Sequence, residues 1–238
     1  MNPNIGVQSY TYQNSSFEEF CDELEAVDIP AVELYSGHLG PESTPAERRT
    51  ARERLRAVDV DCSGIGVYSI DGGTEVEEIF ALADDLECEY VSVGLASADA
   101  QLVEPVIDRA QAYDLPVAVH NTPAGTFATV EEVESLLATY EDDLFGVCLD
   151  TGNFVDAGDD VGEAVSTFAD RIQAVHLKAF FDDDANPVPD MDLVGFLTDL
   201  ANQTSFDRTP MIEYETNPAA PRPAVRAYLE TVNAAGAQ

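Results

Sequence analysis

The stretch IQAVHLK, residues 172–178, decides the fold. Read as an extended strand, it turns Val175 and Leu177 to one face and Ala174, His176 and Lys178 to the other. An apolar face opposite small or chargeable positions suits a closed barrel. There the outward side chains meet a layer of helices and the inward ones converge in a lumen. The same phase holds in the neighbouring runs. PVAVH (116–120) sends Val117 and Val119 out and Ala118 and His120 in. FGVCLD (145–150) sends Val147 and Leu149 out and Gly146, Cys148 and Asp150 in. PMIEYE (210–215) sends Ile212 and Tyr214 out and Met211, Glu213 and Glu215 in.

Outward from this region, eight such runs begin near residues 5, 31, 64, 90, 116, 145, 172 and 210. Each is followed by helical spacing, over 17–26, 46–58, 76–86, 102–112, 130–140, 161–168, 193–201 and 219–232. Ser16 before FEEF, Thr44 before Pro45 and Thr129 before VEEVESLL are helix-start signals. Eight strand-then-helix units predict an α/β fold, a single (β/α)8 TIM barrel domain over residues 1–238. A doubly wound open sheet would normally have fewer units, and no G-x-G-x-x-G follows the first strand to anchor a dinucleotide. The longest irregular segment is FDDDANPVPD (181–190), an acidic loop after strand seven.

Of 238 residues 45% are hydrophobic, enough for one sizeable core. Asp and Glu number 46 against 11 basic residues, a net charge of −35. Such a field repels phosphate backbones and anionic lipid, so neither nucleic acid nor membrane is expected as a partner. No run reaches the roughly 18 apolar residues of a membrane span, and MNPNIGVQSY lacks a basic start. The chain reads as a cytoplasmic protein, with self-association into a homo-oligomer left open. The acids are spread over every expected helix, a pattern that suits concentrated salt and a halophilic source. Cys21, Cys62, Cys88 and Cys148 are far apart in sequence with no C-x-x-C spacing, which predicts buried reduced thiols. The arginines at 48, 49, 52, 54 and 56 lie among glutamates on one helix and read as a solvated face.

Against this background the exceptions stand out. Lys178 is the only lysine, and His38, His120 and His176 are the only histidines. Strand parity also turns Gln8 and Glu33 inward, with Ser92 and Gly94 from strand four. The mouth of the barrel therefore collects Glu33, His120, Asp150, His176, Lys178, Glu213 and Glu215. Buried charges are costly unless paired or ligated, and one lysine cannot neutralise four carboxylates. A divalent cation resolves the imbalance. His120, Asp150, His176 and Glu213 come from four consecutive strands and form an N2O2 donor set with open positions. Imidazole with carboxylate favours manganese, zinc, cobalt or iron over calcium and also admits magnesium.

The runs GVCLDTGNF (146–154), RIQAVHLKAF (171–180) and MIEYE (211–215) resemble the sugar phosphate isomerase/epimerase group of xylose isomerase-like TIM barrels. Members typically show D-T-G-H at strand six, R-I-x-x-V-H-L-K-D at strand seven and V-E-Y-E at strand eight. IGVQSYTY and AVELYSGHL, at strands one and two, are similar too, so the resemblance spans essentially the whole chain. It implies metal ligation by Asp150, His176 and Glu213, with the strand-five ligand on His120. It also implies proton transfer next to a metal-chelated carbonyl of a keto sugar, normally between glutamates of strands five and eight. This chain keeps only the second of that pair. Asn153 stands in place of the strand-six histidine, Thr122 in place of the second histidine of H-N-H, and Ala179 in place of aspartate.

With His120 as a ligand, the second acid/base is Glu33, Glu215 or Lys178. Lys178 can polarise a carbonyl or tether Glu215 or Glu33, and Glu33 can touch ligand or support another residue. Substrate contacts fall on His38 in the loop after strand two, on Asn153, on Gln8 and on rim tyrosines Tyr10, Tyr12 and Tyr68. Arg222 is the nearby arginine able to hold a phosphate. The expected activity is a metal-dependent isomerase or epimerase of a small keto sugar or polyol. A keto-inositol dehydratase and a catalytically lapsed sugar-binding barrel are the alternatives. An apurinic-site endonuclease needs more histidines and less negative charge.

Overall fold

The computed structural model describes residues 4–122 and 125–236. Eight parallel strands close into a barrel in sequence order: β1 (Gly6–Gln8), β2 (Ala31–Leu34), β3 (Asp61–Ile70), β4 (Tyr90–Leu95), β5 (Val117–His120), β6 (Phe145–Asp150), β7 (Ile172–Leu177) and β8 (Met211–Ile212). β1 closes the ring on β8, with Gly6 opposite Met211. The helices are α1 (Phe17–Val27), α2 (Pro45–Ala57), α3 (Val76–Leu86), α4 (Ala100–Tyr113) and α5 (Val130–Thr139), then α6 (Thr151–Ala157), α7 (Val161–Thr167), α8 (Leu193–Gln203) and α9 (Arg222–Gly236). Ser16, Thr44 and Thr129 each close a capping box, with Glu19, Glu47 and Glu132 respectively. No helix among the described residues is long and apolar enough to cross a membrane.

Alternation separates two cores. Val117, Val119, Val147, Leu149, Val175 and Leu177 join the large cluster between strands and helices. Tyr90, Ala118, Cys148 and Ala174 form a small cluster of their own, the plug inside the barrel. Gly64 makes room for that plug, since a Cβ there would lie 2.4 Å from the Tyr90 ring.

Four expectations change. In β3 a bulge shifts the register against β4 between Ile65 and Tyr68. Strict alternation from Ile65 would aim Tyr68 into the lumen. The extra residue turns it outward instead, and Ile65, Tyr68 and Ile70 all lie in the outer core. Tyr12 is also buried there, packed on Phe20, and forms no part of the rim. The α2 arginines are not a merely solvated face. Arg48 is buried, donating to Asp85 at 3.0 Å and to the Pro41 carbonyl at 2.6 Å. Arg54 reaches Glu18 and Asp22 of α1, while Arg52 and Arg56 hold Glu87. Finally, the cysteines are free as expected and Cys21, Cys62 and Cys148 are buried, but Cys88 is only partly buried, with its sulfur 3.7 Å from that of Cys62.

Candidate active site

The ends of β5 to β8 bring four side chains to one point. His120 Nε2 lies 3.4 Å from Asp150 Oδ2 and 4.0 Å from Glu213 Oε2, and His176 Nδ1 lies 3.4 Å from the same Glu213 oxygen. One donor atom from each residue falls within 4.8 Å of all the others, and all four residues are buried. Those same four atoms, His120 Nε2, Asp150 Oδ2, His176 Nδ1 and Glu213 Oε2, are buried without a hydrogen-bond partner. An orphaned buried polar atom costs about 1–3 kcal/mol. Four orphans aimed at one centre are rare unless something there satisfies them together. Two imidazole nitrogens and two carboxylate oxygens match the donor set of a divalent cation, whose charge the two carboxylates would neutralise.

Local structure aims each donor. β6 runs into α6, a short helix absent from the periodicity reading because it starts directly at the end of the strand, with no break in the chain between them. Asp150 caps it: Oδ1 accepts from the Asn153 amide at 2.8 Å, which leaves Oδ2 for the centre. Asn121 clasps the Asp150 backbone, accepting from its N–H at 2.9 Å and donating to its carbonyl at 3.3 Å. His176 is set from below, with Nε2 2.9 Å from Glu33 Oε2. A carboxylate only accepts, so Nε2 carries a proton there and Nδ1 faces the centre.

Glu33 itself is fully buried and receives the Tyr90 hydroxyl at 2.7 Å and the Ser92 hydroxyl at 2.6 Å. Burial pushes its carboxyl up, but His176 and the hydroxyl donors outweigh that and hold it at about 2. Glu213 is likewise pushed up by burial and brought to about 2 by His176, His120 and Lys178. Asp150 goes the other way: burial and the neighbouring Glu213 charge raise it, against His120 and Lys178. Burial disfavours a charged His176, yet Cys148, Glu33 and Glu213 raise it well above the ordinary imidazole range. To ligate through Nδ1, His176 therefore gives up a proton.

Above the quartet opens a cavity of about 660 Å³, walled by Tyr10, Tyr35, Val67, Ser69, Asn153 and Lys178 among others. That lies within the roughly 300–1,000 Å³ of small-molecule sites. Lys178 Nζ sits 2.6 Å from Glu215, 3.2 Å from Asn153 Oδ1, and 3.9 Å from both Asp150 and Glu213. Its aliphatic chain lies over Gly152, where a Cβ would stand 2.7 Å from the Lys178 Cγ. Burial alone would lower this ammonium, but Asp150, Glu213 and Glu215 raise it, so it stays charged.

The expected site residues divide accordingly. His120, Asp150, His176 and Glu213 come together; Lys178, Glu215, Asn153, Gln8 and Tyr10 reach the cavity; Glu33 lies beneath it. Gln8 has both ends engaged, its Nε2 on the Gly66 carbonyl at 2.9 Å and its Oε1 on the Tyr10 N–H. Tyr68 is withdrawn by the bulge. His38 stacks on Phe20 with ring centroids 4.9 Å apart and bonds the Ser15 carbonyl at 3.0 Å, outside the cavity lining. Arg222 begins α9 and clamps Glu23 of α1 at 2.7 Å, outside the cavity lining. Tyr90 and Asn121 were missed as supports. The inward phase of Ser92 extends to Tyr90 and would have found it. Asn121 is the middle residue of the H-N-H pattern at strand five, but its hold on Asp150 depends on a neighbouring strand end that strand parity does not show.

Among curated proteins, none matches the sequence. Solved structures share the fold at low identity. The 3-keto-D-glucoside 4-epimerase YcjR of E. coli superposes with a TM-score of 0.78 at 11% identity, covering 98% of this chain and 99% of that one. An IolI protein with a bound zinc atom gives 0.75 at 16%, covering 97% and 98%. The probable 3-DHS dehydratase AsbF of Bacillus anthracis gives 0.73 at 13%, also covering 97% and 98%. A family model described as xylose isomerase-like TIM barrel matches residues 15–233. With that match laid over a closed eight-stranded barrel, the chain belongs to the xylose isomerase-like TIM barrel family.

Proposed function

We propose that this protein is a divalent-metal-dependent isomerase or epimerase of a small keto sugar or polyol, moving a proton at the carbon beside a carbonyl. The convergence of four orphaned donor atoms, one each from His120, Asp150, His176 and Glu213, carries this reading. A divalent ion in that set, manganese, zinc, cobalt or magnesium, supplies Lewis-acid polarisation of a carbonyl oxygen. The chain's own residues supply the rest. Glu213 lines the cavity and is the strand-eight carboxylate assigned to take up the proton. Glu215 is another carboxylate on the cavity wall, beside Lys178. Lys178 remains an ammonium between Glu215 and Asn153 and donates to a substrate oxygen. Glu33 is removed from the cavity by its burial and positions His176. The even spread of acids supports a working medium of concentrated salt, as in the cytoplasm of a halophile.

The test is to load the purified protein with manganese, count the ion by elemental analysis, and follow ketoses in D2O by NMR. One ion per chain with deuterium appearing beside the carbonyl is expected. No ion after manganese soaking sinks the reading. Loss of water as an alternative outcome is favoured by one observation: strand five presents His120 where the two-carboxylate pattern has glutamate, and an elimination can run on a single base. The same spectra separate an unsaturated product from an epimer.

A further inference from the structure

We propose that the cavity above the quartet takes an uncharged polyhydroxy ketone and rejects its phosphorylated and carboxylated counterparts. This rests on the sugar reading above and narrows its substrate class.

The charge on the cavity wall carries the argument. Glu213, Glu215 and Asp156 line it, with Asp150 at the centre and Glu33 beneath. Lys178 is the single cation among the described lining residues, and it is already engaged by Glu215 and Asn153. Five carboxylates outweigh one ammonium and a doubly charged ion together. No arginine lies in the described lining. Arg171 and Arg208 are spent at the opposite end of the barrel, on the Phe145 carbonyl and Gln173 Oε1. Arg222 is clamped on Glu23.

Barrels that hold a phosphate commonly do so with the loops after strands seven and eight and a helix N-terminus. Here the loop after β7 carries Asp182, Asp183 and Asp184, Glu215 follows β8, and Asp150 occupies the N-terminus of α6. Each of these repels an anion. What the wall offers is suited to hydroxyls: Ser36, Ser69 and Thr122, and the paired rings of Tyr10 and Tyr35, edge to face at 5.4 Å.

The experiment uses manganese-loaded protein, with metal occupancy checked by electron paramagnetic resonance. Proton relaxation by the bound ion is measured for D-fructose, D-psicose, D-tagatose, D-xylulose and D-ribulose, and for their terminal phosphate esters, after subtracting the esters' own manganese chelation. At least one neutral ketose should be relaxed by bound manganese, with its ester at least about tenfold weaker. That gap should narrow as KCl rises from about 0.1 M to about 1 M and the Debye length falls from about 10 Å to about 3 Å. Asp156→Lys, on the exposed rim of the cavity wall, should narrow the gap between ester and ketose at fixed salt. An ester that binds as tightly as its ketose overturns the proposal and leaves the sugar reading standing. Bound manganese with no ketose or ester near it overturns both.

Discussion

At Glu33 a carboxylate without solvent stays ionised because Tyr90, Ser92 and His176 all point at it. Its carboxyl is held at about 2 against an ordinary 4.5. A depressed value contributes stability that is present above pH 4.5 and lost as pH falls through 2. The stability gap between wild type and Glu33→Gln, at most about 3 kcal/mol at neutral pH, should therefore shrink across that acid window in denaturant titrations. A gap that stays flat with pH would deny the ion pair. The same variant should bind manganese about 10–100-fold more weakly, because His176 loses the acceptor that aims Nδ1. Asp150 separates two roles. Asp150→Asn keeps a cap for α6 and should abolish manganese binding with little loss of metal-free stability. Asp150→Ala should also lose about 1 kcal/mol, read by urea unfolding. Of these residues, the quartet was legible because period-two alternation is local and unbroken over the residues that carry it. The partnership of Glu33 with His176 was not, since it joins positions 143 apart through a lumen that exists only once the barrel closes.

At the level of elements, Gly64 on β3 and Tyr90 on β4 are a matched pair. Gly64→Ala should push the Tyr90 ring aside and cost about 1–3 kcal/mol in chemical denaturation. It should also weaken manganese binding, because the ring's hydroxyl is drawn off Glu33. An unchanged affinity would mean that Tyr90 merely fills space. Strand starts and long helices were legible from apolar runs and caps, with α3 at its expected bounds of Val76–Leu86. The β3 bulge was not, and it alone moves Tyr68 from the expected rim into the outer core. Nor was α6, whose seven residues are fixed by the Asp150 cap and by Phe154 packing on Phe168.

Across the whole molecule, a charge of −35 works against compactness. Melting temperature should rise by at least about 5 °C between about 0.1 M and about 2 M KCl as self-repulsion is screened. A flat profile would show that the ion pairs of α2 with α1 and α3 already offset that repulsion.

Taken alone, the chain's alternation of apolar and polar residues determined an eight-unit barrel and the inward donors His120, Asp150, His176 and Glu213, because side-chain direction in a strand follows from neighbours two positions away. Only the closed barrel decided which atoms are left without partners, that Glu33 lies under the site and Arg222 outside it, and that the described lining of the mouth carries one engaged cation. Those outcomes depend on distances between strand ends that no local pattern contains.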